Sequence, residues 1–187
     1  MENHEDPRPQ KRIRSGKDVV RFYKGLGFFA GESVESVVRR YRKDMECAPD
    51  AGIGFDAELL SFDEKKTWHN SESDQDVQPF DDFYCWFLQE FAGVTGGAFV
   101  PREISEHWES PTGPIRVKFQ LGGHTMIVTP RCDGGAVDFH ILRQVNGCFR
   151  ETDRQFECIR SGFMVILWIT PEQKRAMQRI RHVDFLW

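Results

Sequence analysis

The sequence predicts an α+β fold: an antiparallel sheet built from two C-terminal hairpins, in the order ββαββα, packed by helices. Three observations predict it. Ile115-Arg-Val-Lys-Phe-Gln-Leu121 alternates apolar and polar residues, the period of a half-buried strand. Gly122-Gly123 follows, a pair that accepts the positive φ angles of a tight turn, and residues 124–129 return. Residues 155–160 and 163–169 flank Ser161-Gly162 as a second hairpin, and the unbroken apolar run of 163–169 suits a central strand buried on both faces.

The helices of this scaffold carry their own end signals. Asp138 is placed to cap a short helix with Phe139, Leu142 and Val145 inward, and Gly147 to end it. Thr170-Pro-Glu-Gln173 opens the last helix, with Thr170 as cap, Pro171 in the first turn and Gln173 reaching back.

Upstream, the chain is expected to begin with a disordered arm over 1–16. A mainly helical part over 17–112 follows, forming one globular unit with the scaffold at 113–187. Residues 1–15 are charged and hold two prolines. Lys11-Arg12-Ile13-Arg14 reads as a solvated basic cluster. Residues 18–29 fit a short helix or a strand. Residues 32–45 read as an amphipathic helix with Val34, Val37, Val38, Tyr41 and Met45 on one side. Pro49, Gly52 and Gly54 break it. Residues 57–62 read as a strand continued by 65–69, and 70–79 as an exposed acidic loop. Asp81 or Asp82 is expected to cap a helix running to about Phe91. Residues 101–108 read as another short helix.

Composition bounds function. Hydrophobic residues make up 40% and aromatics 13%, enough for a buried core. No apolar run approaches the roughly 20 residues that span a bilayer, so no membrane role is expected. The charged start without an apolar signal segment points to the cytoplasm. Five widely spaced cysteines favour free thiols in a reducing compartment.

The net charge of −4 is unevenly spread. Residues 1–43 hold 11 basic and 6 acidic side chains; 44–82 hold 12 acidic and 2 basic. The middle of the chain is therefore a concentrated source of negative potential.

Motifs for chemistry are sparse. Gly25-Leu-Gly-Phe-Phe-Ala30 satisfies a relaxed dinucleotide pattern, which requires a strand before it and a helix after. Phe22-Tyr-Lys-Gly-Leu-Gly-Phe28 resembles the aromatic-rich helix end of the vicinal oxygen chelate family, which includes the glyoxalases. That resemblance covers these residues alone. It implies paired β-α-β-β-β modules and a metal held by His and Glu, and it transfers no ligand to this chain. Cys132 near His140, with Gly134-Gly135 beside them, is a candidate nucleophile–base pair, but no nucleophile-elbow or papain-like signature marks it and buried structural cysteine is the default reading. No zinc or phosphate-loop spacing is present, and no cofactor is expected. Arg116, Lys118, Arg131, Arg143, Arg150, Arg154 and Arg160 interleave with aromatics, as on sheets that stack single-stranded bases, but the ribonucleoprotein signatures are missing.

The expected function is a cytoplasmic protein-binding module of the inhibitor or immunity type. It binds a basic partner through Glu72, Asp74, Asp76, Asp81, Asp82 and Tyr84, an acidic rim beside an aromatic anchor. The alternatives are a small-molecule enzyme, metal-dependent and vicinal-oxygen-chelate-like, and an assembly component using an exposed apolar patch around Phe185-Leu-Trp187.

Overall fold

The computed structural model describes residues 13, 15–42, 53–70, 77–132, 135–149, 152–161 and 164–187, without the side chains of 53, 54 and 70. The expected arm lies almost wholly outside the described residues, as do Glu72, Asp74 and Asp76. The chain divides into two compact units, 1–51 and 52–187.

In the first unit, helix α1 (Gly16–Gly25) buries Val19, Val20 and Tyr23. The Ser15 hydroxyl accepts the Asp18 N–H at its start. Its end explains the glycine motif. Gly27, at φ 86°, donates to Lys24 O, and Phe28 N–H donates to Tyr23 O, the paired bonds of a left-handed helix stop. The Phe28 ring meets the Tyr23 ring at 5.8 Å, the apolar contact that accompanies such a stop. A helix, not a strand, precedes Gly25-Leu-Gly-Phe-Phe-Ala30, so the dinucleotide pattern lacks its context. Helix α2 (Val34–Arg40) follows, capped by Ser33, so the vicinal oxygen chelate resemblance also lacks the strand it requires.

The second unit carries the α+β scaffold. Its elements are α3 (Ile53–Ser61), β1 (Thr67–Asn70), α4 (Phe83–Val94), β2 (Arg102–Trp108), β3 (Ile115–Leu121), β4 (His124–Val128), α5 (Ile141–Asn146), β5 (Gln155–Arg160), β6 (Met164–Ile169) and α6 (Pro171–Arg181). Both hairpins form, and the ββαββα order holds from β3 to α6. Each hairpin recruits one upstream strand. The result is two antiparallel sheets, β1-β6-β5 and β2-β3-β4.

Two upstream segments differ from expectation. Residues 57–62 fall mostly in α3, where Phe55, Ala57, Leu59 and Leu60 are all buried. A short apolar run is ambiguous between helix and strand when every side is covered. Residues 101–108 form β2, not a helix. Pairing with β3 decides it, with Trp108 opposite Ile115 and Ser105 opposite Lys118. Ile104, Glu106 and Trp108 alternate inward, and Ser105 and His107 outward.

An aromatic chain joins the sheets through α4. Trp68 of β1 meets Phe87 and Phe91 at 5.3 and 5.4 Å. Phe91 meets Phe156 of β5 at 5.6 Å, Phe156 meets Phe99 at 5.7 Å, and Phe99 meets Phe119 of β3 at 5.9 Å. Met164–Ile169 is buried throughout, as a strand central to its sheet should be. Helix α6 opens with the full capping box of Thr170 and Gln173.

After α6 the chain turns at His182 and returns along β5. Phe185 bridges Ile159, and Leu186 N–H donates to Cys158 O at 2.8 Å. Lys174 Nζ donates to the buried Glu157 carboxylate and to Trp187 O, both at 2.7 Å. Phe185 is therefore buried and Leu186 and Trp187 pack against the core. The exposed apolar patch around Phe185-Leu-Trp187 that would favour an assembly role is not formed. The Trp187 indole N–H is buried without a hydrogen-bond partner among the described residues, and nothing in the structure explains it.

Alkaline sensitivity follows from the core. Burial pushes the Cys158 thiol and the Tyr84 phenol above their ordinary ranges of 9 and 10. It also lifts Cys148 upward and Cys85 to about 11. The unfolded chain loses these protons first, so the folded state binds more protons above about pH 9. Their contribution is complete below the unfolded values and is lost as pH rises toward the folded ones. Urea unfolding between about pH 8 and 11 should show stability falling, with Cys158 alone adding a slope of at most about 1.4 kcal/mol per pH unit. Cys158→Ala should flatten that slope, and a flat wild-type profile would contradict the burial of these groups.

Candidate partner-binding site

The acidic segment enters the described structure again at Val77, which is buried and donates its N–H to Gly135 O. From this anchor the chain makes a turn in which Asp81 N–H reaches Gln78 O at 3.4 Å, and α4 begins. Phe80 and Asp82 both hold left-handed backbone, at φ 71° and 52°. A bulky aromatic residue rarely adopts that region, and each such residue costs on the order of 1–3 kcal/mol unless its surroundings impose it. The turn sets Phe80 65% exposed, its ring 6.3 Å from the Trp108 ring.

Asp82 stands at the cap position of α4, but its side chain makes no capping bond. A capping side chain reaches the first turn from extended backbone, which the left-handed Asp82 does not have. Glu106 of β2 does the capping instead. Its carboxylate accepts Tyr84 N–H at 2.7 Å and the Trp108 indole N–H at 2.5 Å, while Cys85 N–H donates to Asp82 O at 3.0 Å. Burial raises the Glu106 carboxyl above its ordinary range, and hydrogen bonding pulls against that rise without cancelling it. A carboxylate from β2 thus serves an orphan donor of the helix start and leaves both Asp81 and Asp82 exposed to solvent.

Tyr84 does not belong to the site. It is fully buried, and its hydroxyl oxygen accepts Asp138 N–H at 3.1 Å. The first turn of α4 points it inward with Phe87 and Leu88, toward the core. Trp86 takes the outward place instead. It is 41% exposed, with its ring 6.2 Å from Trp68 and 5.6 Å from Phe83. Asp82, Trp86 and Glu90 stand four residues apart on one stripe of the helix, and all three are exposed. Trp86 and Glu90 are additions to the sequence reading. Their spacing from Asp82 was the available signal.

The acidic segment is not wholly a surface. Asp56 and Asp63 are buried, and Asp56 pairs with Arg181. Of its other described acids, Glu58 and Glu64 are exposed on and just after α3, and Asp81 and Asp82 are exposed at the start of α4.

Other sites fare less well. Cys132 and His140 are joined by no hydrogen bond; the His140 ring lies against Trp187 at 5.7 Å. A nucleophilic thiol needs a lowered pKa, whereas Cys85, Cys148 and Cys158 are all shifted upward. Among the described residues no group of three His, Cys, Asp or Glu side chains is placed to hold a metal ion. On the β2-β3-β4 sheet the aromatics Trp108 and Phe119 face inward, while His107, Arg116 and Lys118 are exposed. That exposed face has basic side chains and the His107 imidazole, but among its described residues no Phe, Tyr or Trp ring on which bases stack. No helix among the described residues is long and apolar enough to cross a membrane.

A comparison with protein-family models, curated proteins and solved structures finds no match.

Proposed function

We propose that this chain is a cytoplasmic protein-binding module of the inhibitor or immunity type, which takes a basic partner at the start of α4. Phe80 carries the reading: a large apolar ring held in solvent, on backbone that disfavours it, between the Trp108 ring and two exposed carboxylates. Such strain persists where exposure of the side chain serves a use. Phe80 and Trp86 supply anchors that stack on cationic side chains or fill a pocket. Asp81, Asp82 and Glu90 supply the field that steers a positively charged surface. Glu72, Asp74 and Asp76 extend the same charge along the sequence. The module blocks its partner by occupancy, with no bond made or broken.

The test begins with capture of a partner from source lysate, followed by binding kinetics. Asp81→Asn with Asp82→Asn should slow association most strongly at low salt. The effect should shrink above about 0.15 M, where the screening length is about 8 Å. Phe80→Asn should speed dissociation by roughly 30-fold, the size of a hot-spot loss of about 2 kcal/mol. The same substitution relieves the left-handed strain, so melting should hold steady or rise. Weaker binding with undiminished stability is the signature of a residue kept for contact. An unchanged association rate of the double Asn variant at low salt would remove this surface from the site.

A further inference from the structure

Sheet edges bind other strands when their backbone groups lack partners. The outer edge of β5 is covered by the returning segment at Phe185 and Leu186. The outer edge of β4 is not. The tight turn at Gly122-Gly123 makes Leu121 and His124 a hydrogen-bonded pair, and pairing then alternates along the ladder. That alternation turns the N–H and C=O groups of Thr125, Ile127 and Thr129 away from β3. Thr129 confirms the direction. Its N–H donates to Gln144 Oε1 at 2.8 Å, and its C=O accepts from Gln144 Nε2 at 3.0 Å. The Gln144 amide thus imitates one residue of a neighbouring strand. Thr125 and Ile127 have no comparable backbone partner among the described residues.

Two further features adjoin this edge. An open cleft of about 1240 Å³ lies beside it, lined in part by Ala98, Val100, Arg102, Met126, Cys148 and Phe149. On the outer face Ile127 is 62% exposed and stands opposite Lys118 in the register. Charged and titratable groups along this edge are mainly basic: Lys118, Arg102, His124 and Arg131 are exposed, against exposed Glu103 and the half-buried Asp138 carboxylate that accepts the Arg131 N–H.

We infer that the β4 edge takes an extended acidic segment of another protein as a fourth strand of its sheet. Main-chain bonds to Thr125 and Ile127 supply the pairing. Side chains of the added strand alternate between the two faces. One set enters the cleft against Met126, Cys148 and Phe149; the other lies over Lys118 and Ile127, where a carboxylate finds its counter-charge. Backbone pairing gives affinity and the cleft gives specificity. This surface is distinct from the acidic one at α4 and selects the opposite charge.

The probes are three labelled octapeptides in which Glu alternates with Leu, Val or Phe. Saturable anisotropy binding of at least one to the full chain is expected below about 1 mM, with hydrogen exchange slowed at the Thr125 and Ile127 amides. Ile127→Pro removes an outward N–H without breaking a ladder bond, a position where an edge strand tolerates proline; it should abolish binding. Should that variant fold poorly, Ala98→Trp fills the cleft from an exposed position and should weaken binding about tenfold. Lys118→Glu should do likewise, more at low salt than at high. Absence of binding by all three peptides would overturn the inference. So would binding that survives both Ile127→Pro and Ala98→Trp, or protection of other amides alone. Sedimentation showing a dimer that Ile127→Pro dissociates would give the edge to a second copy, and overturn the assignment to another protein.

Discussion

Trp168→Ala is expected to destabilise the fold by about 3–5 kcal/mol, a large part of the 5–15 kcal/mol typical of a domain. The residue stands on β6, the central strand of its sheet, and is 4% exposed. Its ring packs on Phe156 at 4.7 Å and on Phe149 at 4.8 Å. Phe156 in turn meets Phe91 and Phe99, so the cavity would open in the chain of rings that joins both sheets. The cost combines lost transfer energy with contacts that the neighbours cannot remake. Trp168→Phe keeps a ring in place and should cost clearly less. Urea unfolding of the three proteins measures this, and an alanine variant that unfolds with the wild type would mean that β6 is not central to stability.

Asp56→Ala should cost a similar amount, about 3–5 kcal/mol, for a different reason. Asp56 on α3 is fully buried. It accepts two bonds from Arg181 on α6, from Nε at 2.8 Å and Nη2 at 3.0 Å. Both side chains gave up water to form this fork. Removing the carboxylate takes this counter-charge from a guanidinium that is only 11% exposed. A buried pair is a weak source of net stability, whereas a buried single charge is strongly unfavourable. The double variant Asp56→Ala with Arg181→Met should therefore recover much of the loss. A double-mutant cycle in urea resolves the coupling. If Asp56→Ala alone lost less than about 1 kcal/mol, the pair would be behaving as a solvated surface bridge.

Both results bear on the proposed function, because the acidic segment divides between structure and surface. Asp56 is committed to holding α6, and Asp63 is buried near β1. Asp81 and Asp82 remain exposed because Glu106 takes over the capping that either would otherwise perform. The exposed carboxylates at the start of α4 thus depend on a carboxylate that is distant in the sequence.

Local signals carried the reading of the scaffold. The Gly122-Gly123 turn, the Thr170 and Gln173 box and the apolar run of β6 each depend on residues within a few positions of one another. Steric limits on φ and short-range hydrogen bonds act at that distance, so these elements are legible without a partner. Where burial surrounds a short segment, that logic fails. The sequence of α3 and of β2 each suggests the other type of element, because four apolar residues covered on all sides, or a strand preceded by Pro101 and bulged between Arg102 and Ser105, look alike until a neighbour is in place. The site depended on tertiary contacts still more. Tyr84 and Trp86 are two residues apart, yet one is sealed in the core and the other faces solvent. The Asp138 and Glu106 contacts fix that rotation of α4, and they come from 54 and 22 residues away. Which face of a helix is covered is settled by the surfaces that close over it, and hydrophobicity alone ranks a tyrosine and a tryptophan as equal candidates for either side.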